Sequence, residues 1–201
     1  MSLSTRVIAA LGAVVVIGAG TIGGSIAYAS GQPTPTKTQA TVTVGRSSHA
    51  LDPNPTCFNG GKPLSDAARQ ACATLSNQAA STFPDKVSVK WSDQLGVGID
   101  PDAAKNGWRA FTNGGGGQGG ALVANFQKDT TFSGLQPAAN LLTSSRDTAL
   151  TVIEFDPKTA GSANPGIVAV WFVDLVNSAA PATSPQDAAG QGAGQGASQG
   201  Q

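Results

Sequence analysis

An antiparallel β-sandwich is the fold class this sequence predicts, and three observations predict it. Short runs rich in Val, Ile, Phe and Trp recur with a period of two along residues 40–176. Turn-forming residues separate most of these runs, in a chain of 201 residues with 26 glycines and 12 prolines. One segment alone in that span, residues 65–80, is rich enough in alanine to read as a helix.

The chain opens with Arg6, then the apolar VIAALGAVVVI, then small residues ending in Ala27-Tyr28-Ala29 before Ser30. A basic start, an apolar stretch and an A-x-A site describe a secretory signal. The uncharged stretch from Val7 to Ala29 is also long enough to cross a hydrocarbon layer of about 30 Å. Residues 1–29 are therefore a signal peptide or a membrane anchor, an N-terminal apolar helix in either case, with the remainder on the exported side. Membrane contact is expected only through residues 7–29, and only if they are retained. Gly18, Gly20 and Gly23 have the G-x-G-x-x-G spacing of a dinucleotide fingerprint. That motif needs a βαβ unit with an acid about twenty residues further on. Here Gly31, Pro33 and Pro35 interrupt the required helix, and the first acid of the chain is Asp52. No nucleotide site is expected.

Residues 30–39, SGQPTPTKTQ, have the composition of an extended linker. The strand runs then follow in order as ATVTV (40–44), KVSVKW (86–91), LGVGI (95–99), WRAF (108–111), ALVANF (121–126), TALTVIEF (148–155) and GIVAVWFV (166–173). About seven such strands with mostly tight connections fit an immunoglobulin-like sandwich. In the second run Val87, Val89 and Trp91 alternate with Ser88 and Lys90, which predicts one buried and one wet face. The last two runs are continuously apolar and belong at the centre. SDAARQACATLSNQAA, from Ser65 to Ala80, starts with a candidate cap at Ser65, and Leu64, Ala68, Cys72 and Leu75 would share one face of its helix. Beyond Asn177 the sequence repeats Gly and Gln with no large apolar residue, so residues 177–201 are expected to form a disordered tail.

Twelve basic residues balance twelve acidic ones, so no charge excess argues for nucleic acid or an anionic surface as partner. The two cysteines, Cys57 and Cys72, form an even pair in a chain with an export segment, and a disulfide between them is expected. The stretch GGGGQGG at 114–120 lacks the G-K-[ST] ending of a phosphate loop and reads as a flexible hairpin tip. Asp100 and Asp102, flanking Pro101, are the candidate cation ligands, although DPDAAKNG also reads as plain turn chemistry. His49 is the one histidine and has no catalytic-looking partner near it. No G-x-S-x-G elbow or S-x-x-K motif supports a serine hydrolase. No catalytic residue, metal or cofactor is assigned. Of the tryptophans, Trp91 and Trp171 lie in strand patterns and are expected in the core. Trp108 follows the Asn106-Gly107 turn and is the candidate surface anchor.

Several of these elements together resemble a family of small actinobacterial exported proteins of unknown function, many of them predicted lipoproteins. The matching parts are ATVTVG at 40–45, the pair Cys57 and Cys72, GVGIDP at 96–101, NGW at 106–108 and the late Trp171-Phe172. No Cys precedes Cys57, so a lipid anchor is not expected here. The family carries no site residues across to this chain. The expectation is a noncatalytic exported module that binds a protein or envelope component. The alternatives are an envelope hydrolase with a loop-built site and a structural spacer. Binding predicts exposed apolar area near Trp108, whereas an enzyme predicts a pocket with convergent titratable groups.

Overall fold

Alternating Val and Thr in ATVTV place Ala40, Val42 and Val44 on one face of β1 (Ala40–Val44), and all three are buried. The chain reverses through Gly45 and Arg46 into β2 (Ser47–Leu51), with Gly45 at φ +57°, a conformation that two-residue hairpins need and glycine supplies without strain. The computed structural model describes residues 38–115 and 120–180. The N-terminal segment, most of the linker, residues 116–119 of the glycine stretch and residues 181–201 lie outside them.

Two sheets result. The first has the order β2-β1-β4-β7, all antiparallel, with β4 spanning Gln94–Ile99 and β7 Gln136–Pro137. The second has the order β3-β9-β8-β5-β6, where β3 is Asp85–Ser88, β5 Trp108–Thr112, β6 Ala121–Gln127, β8 Asp147–Phe155 and β9 Ile167–Val176. Four expectations are corrected. There are nine strands among the described residues rather than about seven, since β2 and the two-residue β7 carry no apolar run. The sheets are not purely antiparallel, because β3 joins β9 in parallel. A helical segment intervenes between β2 and β3, and it delivers the chain to the far edge of the second sheet in the direction of β9. The sequence DPDAAKNG forms a second helix, α2 (Pro101–Asn106), rather than a simple turn. Finally, Asn177 is not disordered. It is buried, its N–H donates to the Arg146 carbonyl at 2.7 Å, and its carbonyl and side chain receive the N–H groups of Ala180 and Ala179.

The inward residues of both sheets form one apolar cluster, with Val42, Leu95 and Val97 from the first facing Trp108, Leu150, Val152, Trp171 and Val173 of the second. The other face of the second sheet, carrying Ala149, Ile153, Phe155, Val170 and Phe172, forms a separate cluster with Cys57, Leu64, Cys72, Ala80 and Phe83. β8 and β9 are thus covered on both faces, which is why their sequences are continuously apolar. The covering layer is α1 (Asp66–Ser76) and the 3-10 turns at Pro55–Cys57 and Ala80–Thr82. Ser65 caps α1 by accepting from the Ala68 N–H at 3.3 Å, and the Cys57–Cys72 disulfide pins the helix to the preceding turn with its Cα atoms 5.3 Å apart. Backbone bonds from Asn54 to Val170 and from Leu64 to Ile167 hold this layer to β9.

Candidate functional site: a cleft beneath the helix and an apolar rim

Trp108, the expected surface anchor, is fully buried. It is the first residue of β5, and strand parity turns it inward with Ala110 and Thr112 while Arg109 and Phe111 face the other way. Its indole N–H donates to the Thr130 carbonyl at 2.7 Å, which satisfies the polar end inside the core. Trp91, expected inside, is 39% exposed instead. β3 ends at Ser88, and a turn closed by the Asp93 N–H to the Lys90 carbonyl carries Trp91 outward.

Asp100 and Asp102 serve α2. Asp100 caps it by accepting from the Asp102 N–H at 2.8 Å, and Asp102 pairs with Lys105 at 2.8 Å. The pair is not joined by further ligands, and among the described residues no group of three His, Cys, Asp or Glu could hold a metal. His49 sits half-buried on β2 opposite Val42.

A cleft of about 240 Å³ opens between α1 and the outward face of β5, β8 and β9. Phe111, Ile153, Val170, Phe172 and Ile167 form its apolar wall, the Cys72 side supplies the helix flank, and Arg69 and Arg109 are its two cations. A shallower hollow of about 440 Å³ continues along α1, sharing Arg69, Ala73 and Ile167. Arg69 pairs with Asp66. On the other side of Phe172 a third hollow holds two carboxylates, Asp52 and Asp85. Burial pushes the Asp85 carboxyl above the usual range, and the nearby Asp52 charge adds to the effect.

Two acids lie inside the fold. Glu154 accepts a hydrogen bond from the Asn106 side chain at 2.7 Å through Oε1, while Oε2 has no partner. Burial raises its pKa, the Asn106 bond opposes that, and the Asp100 charge raises it further. Asp174 is buried on β9 and receives the Lys86 ammonium at 2.7 Å; Lys86 also donates to the Ser81 carbonyl.

The second surface was not found from the sequence. Leu122 and Phe126 on β6, with Phe132 and Leu135 in the connection to β7, are each between 42% and 55% exposed. Leu122 and Phe126 are on the outward face of the second sheet, beside Phe111 and Phe155, while Phe132 lies against Gly96 on β4 of the first sheet. β6 and β7 are edge strands, and the Gln136 side chain bonds the Val123 carbonyl between them at 2.7 Å. Phe132 lies over Gly96 so closely that a Cβ there would come within 2.7 Å of its ring. The signal was present as large apolar residues inside a segment with turn composition, but a single ALVANF run reads the same whether its Leu and Phe are covered or bare. Models of known protein families, curated sequences and solved structures give no match to the chain.

Proposed function

We propose that the chain is an exported, noncatalytic binding module of immunoglobulin-like architecture that engages a protein or envelope component through the apolar rim on β6 and the β6–β7 connection. One observation carries the reading: of the five exposed large hydrophobic side chains among the described residues, four fall between Leu122 and Leu135. Clustered exposed apolar side chains mark interaction surfaces, whereas scattered ones are ordinary. The rim adjoins Trp108, which pairs with Gln127 and bonds Thr130. Export is supported by the signal-like residues 1–29 and by the disulfide, which fits an oxidising compartment. No helix of the described residues is long and apolar enough to cross a membrane. The resemblance to actinobacterial exported proteins belongs to the same proposal.

Photo-crosslinking in the native host tests it, with a crosslinking residue placed at Leu135 or, as a control, at the exposed Lys62. A discrete adduct at Leu135, missing at Lys62 and lost when Leu122→Lys is added, is the expected result. Equal labelling at both positions, or none at Leu135, points to a spacer and overturns the reading. Intact mass of the exported chain adds the second half: a start at Ser30 with thiols labelled only after reduction supports cleavage and export.

A further inference from the structure

The cleft beneath α1 keeps an apolar wall and an uncommitted cation together. Arg109 is exposed on the outward face of β5, with its guanidinium 5.3 Å from the Phe111 ring centroid and 5.7 Å from that of Phe155. Stacking on aromatic faces leaves the in-plane N–H donors unused, and Arg109 makes no ion pair among the described residues. Arg69, the other cation of the cleft, has Asp66 as its partner. Arg69, Arg109 and Asp66 thus carry one net positive charge, which a singly charged anion neutralises and a dianion meets with repulsion from Asp66.

The volume sets the size. A cavity of roughly 150 Å³ takes one benzene, so a cleft of this capacity takes an apolar body of roughly ten non-hydrogen atoms. We infer that the cleft binds a free amphiphilic monocarboxylate, its body against Phe111, Ile153 and Phe172 and its carboxylate at Arg109 and Arg69. The rim adjoins this site, since Leu122 pairs with Phe111 and Phe126 packs on Phe155. Arg69, Arg109 and Ala73 lie outside the rim, however, and variants at these positions test the cleft while leaving Leu122 and Leu135 unaltered.

The test is an amide-resonance titration of the full oxidised chain with decanoate, with decanol as the uncharged twin and octyl phosphate as the dianionic one. Two variants accompany it, Arg109→Gln and Ala73→Phe, both at exposed positions so that the fold is retained. Decanoate should shift Ile153 and Val170 saturably at millimolar concentrations, and decanol should bind at least about tenfold more weakly. Arg109→Gln should weaken decanoate by roughly tenfold to a hundredfold, the loss expected for a charge-assisted hydrogen bond, while leaving decanol unchanged. Ala73→Phe, which fills the cleft from the helix side, should abolish both. Equal binding of decanoate and decanol, tighter binding of octyl phosphate, decanoate binding that survives Ala73→Phe, or no saturable shift each overturns the assignment.

Discussion

Reducing the Cys57–Cys72 disulfide should loosen the molecule in one layer before the rest. The bridge closes a loop across 15 positions, and the chain-entropy account assigns about 3 kcal/mol to a loop of that length. For a domain near this size that corresponds to a fall in Tm of roughly 10 °C. The loss has a definite location. Cys72 fastens α1 over Ile153, Phe155, Val170 and Phe172, whereas the cluster between the two sheets contains neither cysteine. Guanidinium unfolding of oxidised and reduced protein, followed by circular dichroism, measures the total. Native-state hydrogen exchange of the α1 amides, compared with those of β1 and β8, measures the location. A total under about 1 kcal/mol, or α1 amides as protected after reduction as before, refutes the role given to the bridge.

Three further outcomes are expected. Trp108→Phe removes a buried indole and orphans the Thr130 carbonyl, so it should cost about 3 kcal/mol in denaturant unfolding; a surface anchor would cost less than about 0.5 kcal/mol. Lys86→Met leaves Asp174 buried without its cation and should cost about 2 kcal/mol, below the roughly 3–5 kcal/mol of a fully buried pair because the Lys86 side chain is half exposed. Adding Asp174→Leu should restore much of that loss, and a double variant as unstable as the single would contradict it. Glu154 has a raised folded-state pKa, so its contribution to stability is complete below the ordinary carboxylate pKa and is lost as pH rises through the folded value. Glu154→Gln should therefore flatten stability against pH over that window. Each tenfold by which the fold tightens proton binding is worth about 1.4 kcal/mol of the difference, and parallel curves for the two proteins would exclude it.

The strands that carry the core were legible because burial on one face imposes alternation. Val42, Val87 and Val97 announce themselves in this way. The centrality of β8 and β9 was legible for the complementary reason, since coverage on both faces removes the alternation. β2 was hidden because Ser47, Ser48 and Ala50 are exposed, so the strand is held by its backbone ladder to β1 more than by its side chains. The two tryptophans exchanged places for a geometric reason. Whether a residue at a strand boundary points in or out depends on where the strand starts or stops, and a shift of one residue reverses it. β5 begins at Trp108 and β3 ends before Trp91. The cleft was beyond reach altogether, because Arg69 and Arg109 lie forty positions apart and meet only when α1 folds over the second sheet.

The ends of the described fold have a mechanical consequence. Ala40 pairs with Ile99, Asp100 caps α2, and Asn106 of α2 bonds Glu154, which pairs with Ala169 near the start of β9. Val176, the last residue of β9, pairs with Asp147 at the opposite end of the sheet. The chain therefore enters by one pole of the strands and leaves by the other. Tension applied between the two poles pulls along β1 and β9 lengthwise, so the hydrogen bonds of each ladder share the load together instead of parting one at a time.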